Sequence, residues 1–224
     1  MDGNGRWAKS RGMPRSFGHK EGCKTLELIT RYIFKKGVKV LSVYAFSTEN
    51  FKREKSEVDY LMDLFVDVFS RKLNYFKENN IKIVFSKKEK GLRKDLKELI
   101  KKVEFATRNN EYIFNICLNY GSEDEIVDMT KKICQKVLKG TLNIDDINKD
   151  VINDNLYQKL PPIDLLIRTS GELRLSNFML YQLSYSELYF TNTLFPDFKE
   201  EEVDKAFLEY SKRERRFGGV KNNN

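Results

Sequence analysis

Short apolar runs alternate with longer stretches of helical spacing along this chain. Four runs rich in apolar and β-branched residues predict buried strands at residues 38–46, 81–85, 112–119 and 163–169. Between and before them, helical spacing predicts helices over residues 17–36, 56–78, 92–108 and 121–138. This alternation favours an α/β fold, in which a mostly parallel central sheet is flanked by helices.

The segment 56–78 has the clearest helical pattern. Ser56 and Asp59 resemble a capping box at its start, and apolar residues recur at helical spacing as far as Phe76. The spacing alone favours a long core helix. The alternative is that this helix forms one wall of an elongated hydrophobic cavity.

The chain has 224 residues, without an internal repeat or a break in composition, which predicts one domain over residues 1–224. Its 41 Lys and Arg against 33 Asp and Glu give a net charge of +8. This charge favours an anionic partner, such as nucleic acid, a lipid surface or a phosphorylated small molecule. Three cysteines without a CxxC pair favour a reducing compartment, and the single histidine excludes a His-rich zinc site.

Polar clusters follow the first, third and fourth predicted strands, at residues 47–53, 119–121 and 168–176. In an open parallel sheet, ligands bind beyond the carboxyl ends of the strands, so we expect these clusters to converge on one rim. The opening segment 2–7 adds two glycines that permit close backbone approach, and amides at a helix start suit phosphate. Arg6, Arg15 and His19 could add contacts to the same anion.

Asp2 is unexpected in an anion-binding cluster, and a carboxylate beside phosphates makes most sense when Mg²⁺ lies between them. Each cluster alone also fits an ordinary turn or surface. The segment 18–25 lacks the spacing of a Walker A loop, which argues against phosphoryl transfer from a P-loop.

Taken in order, these segments resemble the cis-prenyltransferases, the family of undecaprenyl and dehydrodolichyl diphosphate synthases. The matching blocks span nearly the whole chain, at residues 1–8, 17–20, 44–51, 119–121, 168–172, 174–178, 187–190 and 213–219. The resemblance implies condensation of isopentenyl diphosphate with an allylic diphosphate, usually farnesyl diphosphate, in repeated Z-additions. The product would be a long-chain polyprenyl diphosphate, the precursor of a dolichyl- or undecaprenyl-type glycan carrier lipid.

The resemblance also implies residue roles. It makes Asp2 and Asn50 catalytic, and it assigns Mg²⁺ to Asp2 and Glu187, the latter reaching the site from a partner subunit. The allylic diphosphate would be bound by Gly3, Asn4, Gly5, Arg6, Trp7, Arg15 and His19. Isopentenyl diphosphate would be bound by Ser47, Thr48, Glu49, Phe51, Arg53, Arg168, Arg174, Leu175, Ser176, Arg216 and Gly218. The growing chain would occupy an elongated hydrophobic tunnel lined by Ala45, Leu61, Leu64 and Phe65.

Several positions depart from the family pattern. Phe51 and Tyr181 stand where Trp is frequent, and Leu173 stands where some members carry a histidine proposed as a metal contact, so a three-ligand metal site is not expected.

The resemblance also concerns the two ends of the chain. A first strand is expected before residue 1. The tail 211–224 resembles the segment that reaches the neighbouring active site, so the resemblance predicts a homodimer.

Two other functions compete with this one. A non-catalytic subunit of a heteromeric cis-prenyltransferase would share the fold, but it has no need of Asp2, Asn50, Arg168 and Arg174. A nucleic-acid binder would share the basic charge, but no helix-turn-helix, zinc-finger or RNP pattern is evident. We expect a cytoplasmic location, or the cytosolic face of the endoplasmic reticulum in a eukaryote, with peripheral membrane association only.

Overall fold

The computed structural model describes residues 1–216 and confirms the α/β fold class. The strands are β1 (Val40–Ser47), β2 (Ile81–Ser86), β3 (Tyr112–Tyr120), β4 (Leu165–Arg168) and β5 (Glu187–Phe190). The helices are α1 (Asn4–Lys9), α2 (Arg15–Lys35), α3 (Lys55–Glu78), α4 (Lys94–Thr107), α5 (Ser122–Leu138), α6 (Lys149–Asn155) and α7 (Glu200–Ser211).

Backbone contacts group the chain into two compact units. The first contains residues 30–160 and 175–180 with Met1, and the second contains residues 2–29, 161–174 and 181–216. Each unit has its own parallel sheet, so the predicted strands fall into two hydrogen-bonded sheets rather than one.

The first unit is built on a three-stranded parallel sheet in the order β1-β3-β2. The central strand β3 is buried from Phe114 onward, as expected for a strand with neighbours on both edges and helices nearby. The fully buried apolar side chains of this unit include Ile83 on β2 and Leu96, Ile100 and Val103 on α4. Burying one such side chain stabilises the fold by about 1.5–3 kcal/mol. In the parallel register Ser47 lies opposite Tyr120, so β1 and β3 end at the same edge.

The second unit contains the parallel pair β4 and β5, in which Arg168 lies opposite Phe190 and Leu165 opposite Glu187. The sequence pattern predicted β4 but not β5. Its four residues, from Glu187 to Phe190, are only partly buried and give too short an apolar run to stand out.

Helix boundaries agree with the predictions to within a few residues, with one error at the start of α3. The capping box of Ser56 and Asp59 is wrong, because α3 already begins at Lys55 and its N-cap is Glu54, without a side-chain capping bond. The end of α2 is as expected: Gly37 follows it with φ +89°, a conformation that glycine adopts at little cost.

The predicted tunnel residues lie in the first unit. Leu61 is buried on α3, whereas Leu64 and Phe65 on that helix and Ala45 on β1 are half-buried. Among residues 1–216, none of the helices combines the length and the apolar character needed to cross a membrane.

Candidate active site

The backbone of Asp2 is fixed by the end of strand β4. The Asp2 N–H donates to Thr169 Oγ1 at 2.9 Å, and the Thr169 hydroxyl donates to the Asp2 carbonyl at 2.8 Å. The same carbonyl accepts from the Phe195 N–H at 3.0 Å. Thr169 is buried, so these bonds are shielded from water and hold Asp2 in one place.

The Asp2 carboxylate lies between two guanidinium groups. Oδ1 accepts from the Gly3 N–H at 2.7 Å and lies 3.5 Å from Arg6 Nη2, while Oδ2 lies 3.3 Å from Arg168 Nη2. Burial of Asp2 opposes its ionisation, but the Gly3 N–H and the two arginines outweigh burial and lower the pKa of the carboxyl. Asp2 is therefore an anion at neutral pH, and its side chain is still 39% exposed.

Gly3 is required by two features of this loop. Its φ of +102° is unfavourable for a residue with a side chain, and a Cβ there would lie 2.4 Å from Ser170 Oγ. Ser170 itself has a positive φ of 81°. Its buried Oγ has no hydrogen-bond partner among the described residues. The contact between Gly3 and Ser170 thus brings the opening loop against the turn that follows β4.

The other residues predicted to bind the allylic diphosphate lie on α1 and on the first turns of α2. A Cβ on Gly5 would lie 3.1 Å from the guanidinium carbon of Arg15, and a Cβ on Gly18 would lie 2.0 Å from the Asn4 carbonyl oxygen. These two glycines allow the helices to approach closely. His19 is half-buried on α2, one residue beyond Gly18.

Trp7 has a structural partner that the sequence did not indicate. Its indole Nε1 donates to Asp197 Oδ1 at 2.7 Å, and its ring stacks on Phe17 with the centroids 6.3 Å apart. The guanidinium of Arg11 covers the ring at 4.2 Å. Trp7 therefore fixes α1 in the second unit.

Arg168 and Arg174 lie in the turn after β4, together with Glu172. Arg168 Nη1 donates to the Arg174 carbonyl, and Arg174 Nη1 lies 2.5 Å from Glu172 Oε2. The other Glu172 oxygen lies 3.1 Å from Arg6 Nη1, which also donates to the Ser170 carbonyl. Three arginines and two carboxylates form one connected cluster, which we call the arginine–carboxylate cluster: Asp2, Arg6, Arg168, Glu172 and Arg174.

A second group of predicted residues follows β1 in the first unit. The turn after Ser47 is closed by Asn50, whose Oδ1 accepts from the Ser47 N–H at 3.2 Å in a capping-box arrangement. Glu49 accepts from Asn177 Nδ2 at 3.0 Å. Burial opposes its ionisation, but the hydrogen bond from Asn177 and others within the turn lower the pKa of Glu49.

Neighbouring side chains in this turn have structural contacts as well. Arg53 pairs with Glu57 at 2.9 Å, and the Phe51 ring packs edge-on against Phe46 with the centroids 4.9 Å apart. A Cβ on Gly121 would come within 2.9 Å of Thr48 Oγ1 and 2.8 Å of Asn177 Nδ2, so Gly121 allows these side chains to meet.

The segment 175–180 belongs to the same unit and contains Leu175 and Ser176. Asn177 accepts from the N–H groups of Ser122 and Glu123 through its backbone and side-chain oxygens, at 2.8 and 2.9 Å. These bonds attach the segment to the first turn of α5. Leu175 is half-buried and Ser176 is exposed.

Glu187 lies at the other end of the β4–β5 pair from Arg168. Glu187 pairs with Leu165, which lies three residues before Arg168 on β4, a distance of about 10 Å along the strand. The carboxylate of Glu187 accepts from Arg213 Nη1 at 3.0 Å. Arg216 is exposed beside Glu214, and Gly218 lies outside the described residues. Within residues 1–216, no three His, Cys, Asp or Glu side chains are grouped so that they could hold a metal ion.

The sequence analysis missed several residues that shape both groups. Thr169 holds the Asp2 backbone, Glu172 joins two arginines, and Asn177 contacts Glu49. All three lie within or beside the polar cluster 168–176, so proximity in sequence was the available signal. Asp2, Arg6 and Glu49, which they contact, lie more than a hundred residues away along the chain, and the pattern of the sequence does not reveal these contacts.

Comparison with known proteins supports the resemblance. The family model described as putative undecaprenyl diphosphate synthase matches residues 1–218. An isoprenyl transferase of Fusobacterium nucleatum is 49% identical over 223 residues, covering 99% of this chain and 94% of that protein. A second relative, from Pasteurella multocida, is named ditrans,polycis-undecaprenyl-diphosphate synthase ((2E,6E)-farnesyl-diphosphate specific). It is 46% identical, and the match covers 98% of this chain and 92% of that protein.

Two solved structures share the fold. Lavandulyl diphosphate synthase from Lavandula x intermedia, in complex with dimethylallyl diphosphate, superposes with a TM-score of 0.93 at 35% identity, over 97% of this chain and 95% of that one. A probable undecaprenyl diphosphate synthase from Campylobacter jejuni has a TM-score of 0.79 at 33% identity, over 89% of this chain and 92% of that one. With sequence, fold and motif order in agreement, this chain belongs to the undecaprenyl diphosphate synthase family of prenyltransferases.

Proposed function

We propose that this protein is a cis-prenyltransferase that condenses isopentenyl diphosphate with an allylic diphosphate, farnesyl diphosphate in the first instance. The observation that carries the proposal is the arginine–carboxylate cluster, in which an ionised Asp2 is fixed between Arg6 and Arg168. A non-catalytic subunit would need neither this carboxylate nor its arginines. The relatives are named as enzymes, which also favours a catalytic role.

The arginines are suited to the chemistry of two diphosphates. Ionisation of an allylic diphosphate leaves a pyrophosphate with several negative charges, and fixed guanidinium groups stabilise that charge as it develops. Arg6 lies on α1 and Arg15 at the start of α2, whereas Arg168 ends β4 and Arg174 lies in the turn after it. We assign the first pair to the allylic diphosphate and the second pair to isopentenyl diphosphate, with Ser176 as a further contact.

The donor set fits a magnesium ion that is completed by substrate. Mg²⁺ is commonly bound through one or two carboxylates together with phosphate oxygens, so Asp2 alone can serve as its protein ligand. When bound, the ion would neutralise charge on the leaving diphosphate. Asp2 is prepared for this role because its carboxyl is ionised, partly exposed and held by its backbone.

Asn50 is assigned to the removal of the proton from isopentenyl diphosphate. Its Oδ1 closes the turn after β1, which fixes the direction of the side chain. A neutral amide does not take up the proton itself, so Asn50 would orient the reacting groups and the pyrophosphate released from the allylic substrate would accept the proton. We assign Ser47, Thr48, Glu49, Phe51 and Arg53 of the same turn to isopentenyl diphosphate.

The length of the product depends on an apolar channel. We propose that Leu61, Leu64 and Phe65 of α3, with Ala45, line that channel, because they are buried or half-buried apolar side chains on the elements that flank Asn50. The name of the Pasteurella multocida relative specifies undecaprenyl diphosphate as its product. We therefore propose repeated Z-additions to an undecaprenyl-type rather than a dolichyl-type product.

A homodimer would complete the site. Within one chain Glu187 lies about 10 Å along the strands from the level of Arg168. Its contribution beside Asp2 would therefore come from a second copy, as would those of Arg216 and Gly218. We place the enzyme in the cytoplasm, with peripheral association at a membrane that receives the lipid product.

The proposed activity is tested by incubating the purified protein with farnesyl diphosphate, labelled isopentenyl diphosphate and Mg²⁺. The extracted lipid is then sized. We expect label in a long polyprenyl product, and we expect chelation of Mg²⁺ to abolish it. Absence of labelled lipid from a folded dimeric preparation would contradict the proposal.

A further inference from the structure

Glu172 joins two arginines that the proposed function assigns to different substrates. Its Oε1 lies 3.1 Å from Arg6 Nη1 and its Oε2 lies 2.5 Å from Arg174 Nη1. Arg6 belongs to helix α1, whose residues are assigned to the allylic diphosphate, and Arg174 belongs to the turn assigned to isopentenyl diphosphate. One carboxylate therefore contacts the binding groups of both subsites.

The surroundings of Glu172 show why such a bridge matters. Arg6, Arg168 and Arg174 place three positive charges in one cluster, where like charges repel. Asp2 neutralises the side between Arg6 and Arg168, and Glu172 neutralises the side between Arg6 and Arg174. Arg174 is 61% exposed and Glu172 only 25%, so a long, exposed arginine is paired with a more buried carboxylate.

The bridge leaves both arginines able to bind phosphate. Each guanidinium has five N–H donors, and the contacts to Glu172 involve one nitrogen of Arg6 and one of Arg174. Arg6 Nη1 also donates to the Ser170 carbonyl and Arg6 Nη2 lies beside Asp2, so Arg6 Nε and the Nε and Nη2 groups of Arg174 lie outside these contacts while Glu172 fixes the orientation of both guanidinium groups. This geometry differs from that of an internal inhibitor, which would cover the donors that the substrate needs.

We infer that Glu172 is a positioning residue that preorganises both diphosphate subsites through Arg6 and Arg174. The inference rests on the proposed function. Fixing a flexible side chain before binding removes part of the ordering cost from the binding step. Because the same carboxylate holds both arginines, its loss weakens both substrates together, whereas loss of either arginine weakens mainly one.

The test compares Glu172→Gln with wild type in the labelled-lipid assay, with the KM of each substrate measured while the other is saturating. We expect both KM values to rise about three- to tenfold, the range for ordering one long side chain on binding. We expect kcat to change less than about threefold, because an interaction made equally before and during the reaction alters KM alone. Glu209→Gln, which breaks an exposed pair with Lys212 on α7, is the matched control and should change neither.

Further variants separate bridging from charge. Glu172→Asp keeps the charge but is shorter by one methylene, so bridging predicts raised KM values and a charge effect predicts wild-type values. In an Arg174→Gln background, adding Glu172→Gln should raise the KM of the allylic diphosphate while changing that of isopentenyl diphosphate little further. Unchanged or lowered KM values in Glu172→Gln, or a rise for one substrate only, would overturn the inference.

The activity assay and the inference can fail separately. If wild-type protein transfers no label, the proposed function fails, and Glu172 is then tested by titrating wild type and Glu172→Gln with inorganic pyrophosphate. The inference expects the variant to bind pyrophosphate about threefold more weakly or worse. Equal or tighter binding would reject it.

Discussion

Glu125 in the first unit and Asp2 in the second are both carboxylates fixed by several hydrogen bonds, but their surroundings differ. Glu125 is 1% exposed and accepts from the Tyr120 hydroxyl at 2.6 Å and from the Tyr157 N–H at 2.9 Å. Asp2 is 39% exposed, and two of its contacts are guanidinium groups. The Tyr120 and Tyr157 donors to Glu125 are uncharged, whereas two of the groups that contact Asp2 carry positive charge.

The comparison separates a carboxylate that holds the fold together from one that is available to a ligand. Burial and the charge of Glu125 together raise the pKa of the Tyr120 hydroxyl, so this hydroxyl is protonated at neutral pH and donates to Glu125. The Asp2 carboxylate is instead ionised, partly exposed and in contact with two arginines. Changes at Glu125 should therefore affect stability, and changes at Asp2 should affect activity.

The largest expected effect is on turnover. Asp2→Ala should lower kcat about 10³-fold, because it removes the charge that orders the arginines and the proposed magnesium ligand. The rate of label transfer into lipid measures the effect. Asp67→Ala removes an exposed carboxylate on α3 and is the control, with activity expected to stay at the wild-type level. Comparable turnover in Asp2→Ala and Asp67→Ala would contradict the role of Asp2.

A substitution at Gly3 should affect both activity and stability. Gly3→Ala introduces a Cβ at positive φ and 2.4 Å from Ser170 Oγ, so the loop must move and destabilisation of about 1–3 kcal/mol is expected. Urea unfolding and label transfer measure the two effects. Gly37 has a similar positive φ of 89° but open space around a Cβ, so Gly37→Ala isolates the cost of the backbone conformation. Equal losses in both variants would show that the contact with Ser170 is unimportant.

A substitution beside Glu125 should reduce stability alone. Tyr120→Phe removes one donor to a buried carboxylate, which costs about 1–3 kcal/mol. Urea unfolding should show this loss, while label transfer at 25 °C stays near the wild-type rate. Tyr157→Phe removes the hydroxyl that donates to the partly exposed Asp128 and should cost less. A larger loss in Tyr157→Phe than in Tyr120→Phe would contradict the importance of burial.

The smallest expected effect concerns pH. The pKa of Asp2 is lowered below its ordinary value of 3.8, although burial acts in the opposite direction, because the Gly3 N–H and the arginines favour the anion. Its ionised form therefore adds stability above pH 3.8, and the contribution disappears as pH falls through the folded-state pKa. The free energy of unfolding should be higher for wild type than for Asp2→Asn by less than about 1 kcal/mol. This difference should be constant near neutral pH and should shrink below pH 3.8. A difference that grows on acidification would contradict a lowered pKa for Asp2 in the folded protein.

Local patterns were enough to predict the fold class. The strands of the first unit and its helices α3, α4 and α5 have strong periodicity, and their boundaries were found to within a few residues, whereas the short helix α6 was not predicted. The strand β5 was missed because its four half-buried residues carry too little apolar signal. The capping box at Ser56 was wrong because a polar residue with an acid three positions later also occurs inside the first turn of a helix.

The site was predicted mainly through the resemblance, and the contacts within it were not. Asp2, Arg6, Arg168 and Arg174 come from motifs that a sequence displays directly. The bridge of Glu172 depends on two arginines 168 residues apart in numbering, which only the folded chain brings together. The partners of Glu125 likewise follow from packing: the charge pattern gives no reason to join a carboxylate to two tyrosines.

The central claim is tested most directly by measuring turnover and unfolding free energy on Asp2→Ala and Tyr120→Phe in one experiment. We expect one variant to lose turnover and the other to lose stability. Asp2→Ala should lose about 10³-fold in label transfer and less than about 1 kcal/mol of stability. Tyr120→Phe should lose about 1–3 kcal/mol of stability and retain its turnover. A stable Asp2→Ala variant with wild-type turnover would contradict the account.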